Sequence, residues 1–168
     1  ECEKKTIFAA LYAAKRTCVR QNLTENYLIE AARALGVQKP KVAVVAPSEQ
    51  MLPKIQSAVD AAILSKMGDR GQFGNALIDG PLAVDVALVK EVAQTKGLSS
   101  PVAGDADCLL FPTLDAANAF FKAANQLCRA PLAGMVVGTK CPCVLTSRGD
   151  SPASKLYSIA MAALSVKK

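Results

Sequence analysis

A chain of 168 residues that is 51% hydrophobic and 20% charged can bury one real core, and it contains no apolar run of membrane-spanning length. Its formal charge of +6 and pI near 9.1 favour anionic partners, while three Tyr, five Phe and no Trp leave few stacking platforms for single-stranded nucleic acid. The absence of histidine removes the usual general base from Ser-His and Cys-His schemes, so any chemistry must use carboxylates, hydroxyls, cations or the ligand itself. Lys4 to Arg20 opens the chain as an amphipathic helix, with Ile7, Leu11, Ala14 and Cys18 on one face. Asn22-Leu23-Thr24-Glu25 resembles a capping box for a second helix that Gly36 stops. Lys41 to Ala46 is a near-continuous apolar strand of the kind covered on both faces in a parallel sheet.

A helix from about Met51 to Met67 follows, then a turn-rich connector and a short strand, Ala76-Leu77-Ile78, closed by Asp79-Gly80-Pro81. Leu82 to Lys96 reads as helix, Cys108 to Phe111 as a third strand, and Leu114 to Arg129 as a helix capped by Thr113. Leu132 to Val137 and Cys143 to Leu145 are expected as fourth and fifth strands, and Ala153 to Leu164 as the last helix. Strand and helix alternate, which makes the fold class α/β with a largely parallel sheet. Glu1 to Lys5 is too charged to open a signal peptide, and the expected location is the cytoplasm. The six cysteines sit in apolar segments without a secreted pattern and are expected to be reduced thiols. Cys141-Pro142-Cys143 is not a C-x-x-C pair, and metal binding is set aside.

The stretch richest in chemistry is Thr146-Ser147-Arg148-Gly149-Asp150-Ser151-Pro152. Between an expected strand and a helix that starts with Ser as cap and Pro at the first position, it holds a fixed cation, a carboxylate, hydroxyls and a glycine able to take positive φ. Such a corner binds anions. Asp79, Thr113 with Asp115 and Asn118, and Thr139 with Lys140 are expected beyond other strand ends, where open α/β sheets place ligands. Plainer readings stand beside these. Arg148 pairs with Asp150 or Asp79, Asp150 or Ser151 only caps the helix, and Ser147 only turns the chain. Asn118 bonds within its helix, Asp79 builds its own turn, and Lys122 and Lys155 are solvated helix charges. With neither a Gly-x-Gly-x-x-Gly nor a Walker A run, the residues alone support an α/β domain that binds a phosphorylated anion.

Three ordered segments carry a resemblance. They are Asp79-Gly80-Pro81-Leu82-Ala83-Val84-Asp85, Ala106 through Asn118 with Lys122, and Leu145 through Ser151 with Lys155-Leu156; Ala62 to Met67 and Asp69-Arg70-Gly71-Gln72 fit the same pattern. Together they resemble the phosphate acetyl/butyryltransferases, or phosphotransacylases, from about Asn22 onward. Gly149 is similar to the acetyl-type branch and Asp150-Ser151 to the butyryl-type, which is favoured; Ala117 stands where the family usually has Gly. The resemblance implies a three-layer fold like that of isocitrate and isopropylmalate dehydrogenases. In it, residues 1–138 form a second, inserted domain and 139–168 a returning segment of a first domain whose amino-terminal part is absent.

The implied reaction exchanges an acyl group between coenzyme A and inorganic phosphate, with no metal or redox cofactor, in a homodimer with neither nucleic acid nor membrane as partner. On that resemblance Arg148, Ser147 and Asp150 are the catalytic candidates. Arg148 grips phosphate with Ser147 and Thr146, and Asp150 takes the thiol proton in the reverse direction. Asn118 orients the acyl carbonyl or coenzyme A, and Ser151, Thr139, Asp79 and Lys155 complete the substrate-binding set. The alternatives are a non-catalytic acyl-coenzyme-A-binding regulatory domain or an incomplete fragment of such an enzyme. A nucleic-acid-binding domain would rest on charge alone.

Overall fold

The computed structural model describes residues 23–166, so the helix expected over Lys4 to Arg20 lies outside the described residues. Strand β1 (Lys41–Val45) is the centre of a three-stranded sheet, flanked in parallel by β2 (Leu77–Leu82) and β3 (Cys108–Leu110). Both connections are helical crossovers, as parallel pairing demands. Helix α2 (Gln56–Asp69) joins β1 to β2, and α3 (Val84–Leu88) with α4 (Lys90–Thr95) joins β2 to β3.

The uninterrupted apolar character of β1 has a direct cause: Val42 to Val45 are all buried because each face of the sheet carries helices. Side chains alternate across the pleat. Val42 and Val44 pack with Ile78, Cys108 and Leu110 under α1 (Leu23–Ala34) and α2, through Leu28, Ala32, Ala61 and Leu64. Ala43 and Val45 face the other way with Leu109 and Leu82, against Val86, Ala87 and Ala93 of α3 and α4 and Ala117 of α5 (Leu114–Gln126). The α/β class with a small parallel sheet, helices on both faces, is therefore as expected. No helix among the described residues is long and apolar enough to cross a membrane.

Several boundaries differ from expectation. Asp79-Gly80-Pro81 does not end β2 but lies inside it: the register shifts between Ala43 and Val45, and Ala46 N–H still donates to Leu82 C=O at 3.0 Å beyond the irregularity. This continuation depends on Gly80, since a Cβ there would stand 2.8 Å from both Cβ and O of Val44. The helix expected over Leu82 to Lys96 is two short helices, because Val89 takes an extended conformation between them. Helix α5 stops at Gln126, and Arg129 adopts φ 54, which no right-handed helix can accommodate.

The largest correction concerns the fourth and fifth strands. Neither forms: Leu132 to Val137 and Cys143 to Leu145 make one antiparallel bridge, Val136 to Cys143, and no ladder. A strand needs a neighbour to take its N–H and C=O groups. Here the segment beyond α5 does not join the sheet, and its apolar residues Val136, Val144 and Leu145 are exposed rather than buried on two faces. The final helix, α6 (Pro152–Leu164), packs onto this segment instead of following a strand. Ser158 Oγ, buried, accepts from Gly134 N–H at 2.9 Å and donates to Ser154 C=O at 2.7 Å.

Candidate functional site

The start of α6 forms as its sequence dictates. Ser151 is the N-cap, its Oγ accepting the Ser154 N–H at 3.1 Å, and Pro152 occupies the first turn, where its missing N–H costs nothing. The residues before it close a turn of their own. Asp150 N–H donates to Ser147 C=O at 3.1 Å, and the Asp150 carboxylate accepts the Ser147 N–H at 2.7 Å. Asp150 is thus a turn clasp, and the capping role falls to Ser151 alone. Gly149 does not use the left-handed region, and a Cβ there would meet nothing within 4 Å. Its expected conformational role is not exercised.

This turn and α6 form one wall of a cavity of about 320 Å³. Thr146, Ser147, Asp150, Ser154 and Ser158 belong to its lining, together with Phe121 and Lys122 of α5, the Leu132 to Gly134 segment and Leu145. Of the residues expected to act together, the structure brings together Thr146, Ser147 and Asp150. Arg148 is exposed beside them and is not part of the lining. Among the described residues it pairs with neither Asp150 nor Asp79, so the plain reading of a structural ion pair fails too.

The remaining candidates lie elsewhere. Asp79 accepts Gly80 N–H at 2.8 Å and Ser65 Oγ–H at 3.2 Å, which makes it an organiser of β2 rather than of the cavity. Asn118 and Lys155 are exposed on α5 and α6, outside the lining, and Asn118 makes no side-chain hydrogen bond among the described residues. Thr139 donates to Cys141 C=O and, with Lys140, lines a second, larger cavity of about 640 Å³ against Tyr27, Glu30 and Arg33 of α1. Only Thr113, Asp115 and Asn118 keep the expected place just after a strand end, and Thr113 is spent as the α5 cap, accepting Ala116 N–H at 3.2 Å.

Lys122 enters the sequence reading only through the resemblance and as a solvated helix charge, and Ser158 is not singled out there at all. The one available signal was spacing: Ser154 and Ser158 are four apart and share a helix face, and both are buried. No group of three or more Cys, Asp or Glu side chains among the described residues is placed to hold a metal ion.

The family model described as phosphate acetyl/butaryl transferase matches residues 25–163, a span that contains the whole cavity and its turn. The chain belongs to that family. Within it, the chain is 45% identical to the phosphate butyryltransferase of Clostridium acetobutylicum and 46% identical to the phosphate acetyltransferase of Thermotoga maritima, in both cases over 83% of its own length. The fold is similar to that of a branched-chain phosphotransacylase from Enterococcus faecalis, with TM-score 0.81 and 34% identity over 94% of this chain. The chain spans about half the length of these family members: 46% and 47% of the two curated relatives and 55% of the solved structure.

Proposed function

We propose that the chain acts as a phosphate acyltransferase, exchanging an acyl group between coenzyme A and inorganic phosphate. What supports this is the family match running across the Thr146 to Ser154 corner, where a cavity meets a helix mouth and a hydroxyl-rich turn. In the forward direction a phosphate oxygen attacks the thioester carbonyl carbon and the C–S bond breaks. The thiolate takes the proton phosphate gives up, leaving acyl phosphate and free coenzyme A. No oxidation state changes, so the reaction itself calls for no redox cofactor. Phosphate is already nucleophilic, and the protein's main tasks are to hold it in line and to meet the developing oxyanion with donors.

In this proposal Ser147 and Thr146 donate to phosphate, and Arg148 closes over the mouth from its exposed position with a forked donor set. The carboxylate of Asp150, fixed by the Ser147 N–H, receives the thiol proton in the reverse direction. Asn118, Thr139, Lys155, Ser151 and Asp79 are retained as contacts to the longer coenzyme A chain only so far as that molecule reaches them. The proposal also carries the isocitrate dehydrogenase-like arrangement, the division at residues 138 and 139, a homodimer and a cytoplasmic location. With identities of 45% and 46% to a butyryl and an acetyl enzyme, the acyl group is what the assay decides.

The test is to incubate the chain with phosphate and either butyryl- or acetyl-coenzyme A, trapping acyl phosphate as the hydroxamate. Arg148→Ala is expected to cut the rate at least tenfold with an unchanged circular dichroism spectrum; an unchanged rate removes Arg148 from the reaction. A second reading, binding of acyl-coenzyme A without turnover, is favoured by two observations. The chain spans about half of its relatives, and Arg148 stands outside the cavity lining. Tight binding with no acyl phosphate formed selects it.

A further inference from the structure

Among the described residues two charged side chains line the cavity, Lys122 and Asp150, and Lys122 is the one cation of the two. This is not where sequence reasoning put the positive charge. Lys122 forms no ion pair among the described residues, and its Nζ lies over the Phe121 ring, 5.5 Å from the centroid. The other polar groups of the lining complement it. One Asp150 oxygen is occupied by the Ser147 N–H, while the hydroxyls of Thr146 and Ser147 make no hydrogen bond among the described residues. An uncommitted ammonium therefore shares one cavity with two uncommitted hydroxyls. An ammonium on a flexible four-carbon stem is suited to a compact oxyanion, since it offers a point charge with three donors rather than a planar fork.

The geometry points to Lys122 as the residue that binds a phosphoryl oxyanion in this cavity, with Thr146 and Ser147 as its hydroxyl partners and the Asp150 carboxylate accepting a hydrogen bond from the hydroxyl of hydrogen phosphate. This rests on the phosphate acyltransferase reading for the identity of the anion and deepens it. It moves the anion's principal cation from the turn to α5. Arg148, outside the lining, serves the mouth. The same phosphoryl chemistry comes from inorganic phosphate or from the phosphates of coenzyme A. A cavity of about 320 Å³ sits at the small end of ligand pockets, which favours the compact ion over a phosphate attached to a long cofactor.

Inorganic phosphate and, separately, coenzyme A are titrated calorimetrically at low ionic strength into the 168-residue chain, Lys122→Gln and Lys122→Arg. Lys122 is exposed on its helix, and circular dichroism checks that each variant folds. Lys122→Gln is expected to weaken phosphate binding at least tenfold and coenzyme A binding less than threefold, with Lys122→Arg within threefold of the parent for both. Loss of coenzyme A binding alone overturns the choice of inorganic phosphate. A parent chain that binds neither, or a Gln variant that binds phosphate as the parent does, overturns the role of Lys122. Turnover measured alongside separates the two layers. Lys122-dependent phosphate binding without acyl phosphate sinks the transferase reading alone, and turnover with an unchanged KM for phosphate in Lys122→Gln sinks the Lys122 assignment alone.

Discussion

Ser158→Ala tests how the final helix is held to the rest of the molecule, and with it one wall of the cavity. The Ser158 hydroxyl is 1% exposed and makes two bonds: it donates to Ser154 C=O at 2.7 Å within α6 and accepts the Gly134 N–H at 2.9 Å from outside it. The first is a local back-bond whose loss matters little in a helix. The second is tertiary, and its loss leaves a backbone donor without a partner. An unsatisfied buried donor costs about 1–3 kcal/mol, and the partial burial of Gly134 puts this one in the lower half of that range. Alanine's better helix propensity returns about 0.5 kcal/mol. The net expectation is a loss of about 0.5–1.5 kcal/mol.

With a urea m-value of about 2 kcal/mol/M, the unfolding midpoint should fall by about 0.3–0.8 M with m unchanged. Ser165→Ala is the matched control, since Ser165 Oγ makes the same kind of bond to Met161 C=O, at 2.9 Å, near the end of the same helix. It should stay within about 0.5 kcal/mol of the parent. Equal midpoints for the two variants would mean that the Gly134 contact contributes nothing, and the account of how α6 docks would be wrong.

Two glycines should answer oppositely to the same change. At Gly80 an added Cβ lies 2.8 Å from Val44 and 3.2 Å from the Ala61 Cβ, so Gly80→Ala should cost about 1–3 kcal/mol in urea unfolding, whereas Gly149→Ala, with open space around it, should leave the midpoint unmoved. Thiol labelling at pH 8 should divide the cysteines. Burial, with the Asp107 charge adding to it, pushes the Cys108 thiol up to about 12, so Cys108 should label only as the chain unfolds, while the exposed Cys128 and Cys141 react at once. Because the folded value lies above the unfolded one, Cys108 leaves stability unchanged below about pH 9, and its ionisation in the unfolded chain lowers stability progressively above that. Rapid labelling of Cys108 in the folded protein would contradict its placement in the sheet.

The elements legible in sequence were those specified by neighbours along the chain. Gly36 ends α1 at φ +97, Thr113 and Ser151 cap α5 and α6, and the apolar run of β1 marks a strand covered on both sides. Where sequence reasoning missed, the deciding partner was far away in the chain. Leu132 to Val137 and Cys143 to Leu145 have strand-like composition, yet composition cannot supply the adjacent strand that would take their hydrogen bonds. Asp79-Gly80-Pro81 looks like a terminator, yet close packing of Gly80 on Val44 keeps it in β2.

The candidate site divides along the same line. By itself the sequence determined that a cap, a first-turn proline, a carboxylate and hydroxyls would meet at the mouth of α6, because each of those signals acts over a few residues. Only the tertiary structure decided which charge shares the cavity with them. Arg148 is next to Ser147 in the chain but stands outside, whereas Lys122, 26 residues before Arg148 in sequence, is part of the lining. That placement depends on how α5 and α6 pack around the Leu132 to Gly134 segment, and packing between distant segments leaves no short-range mark on the residues it brings together.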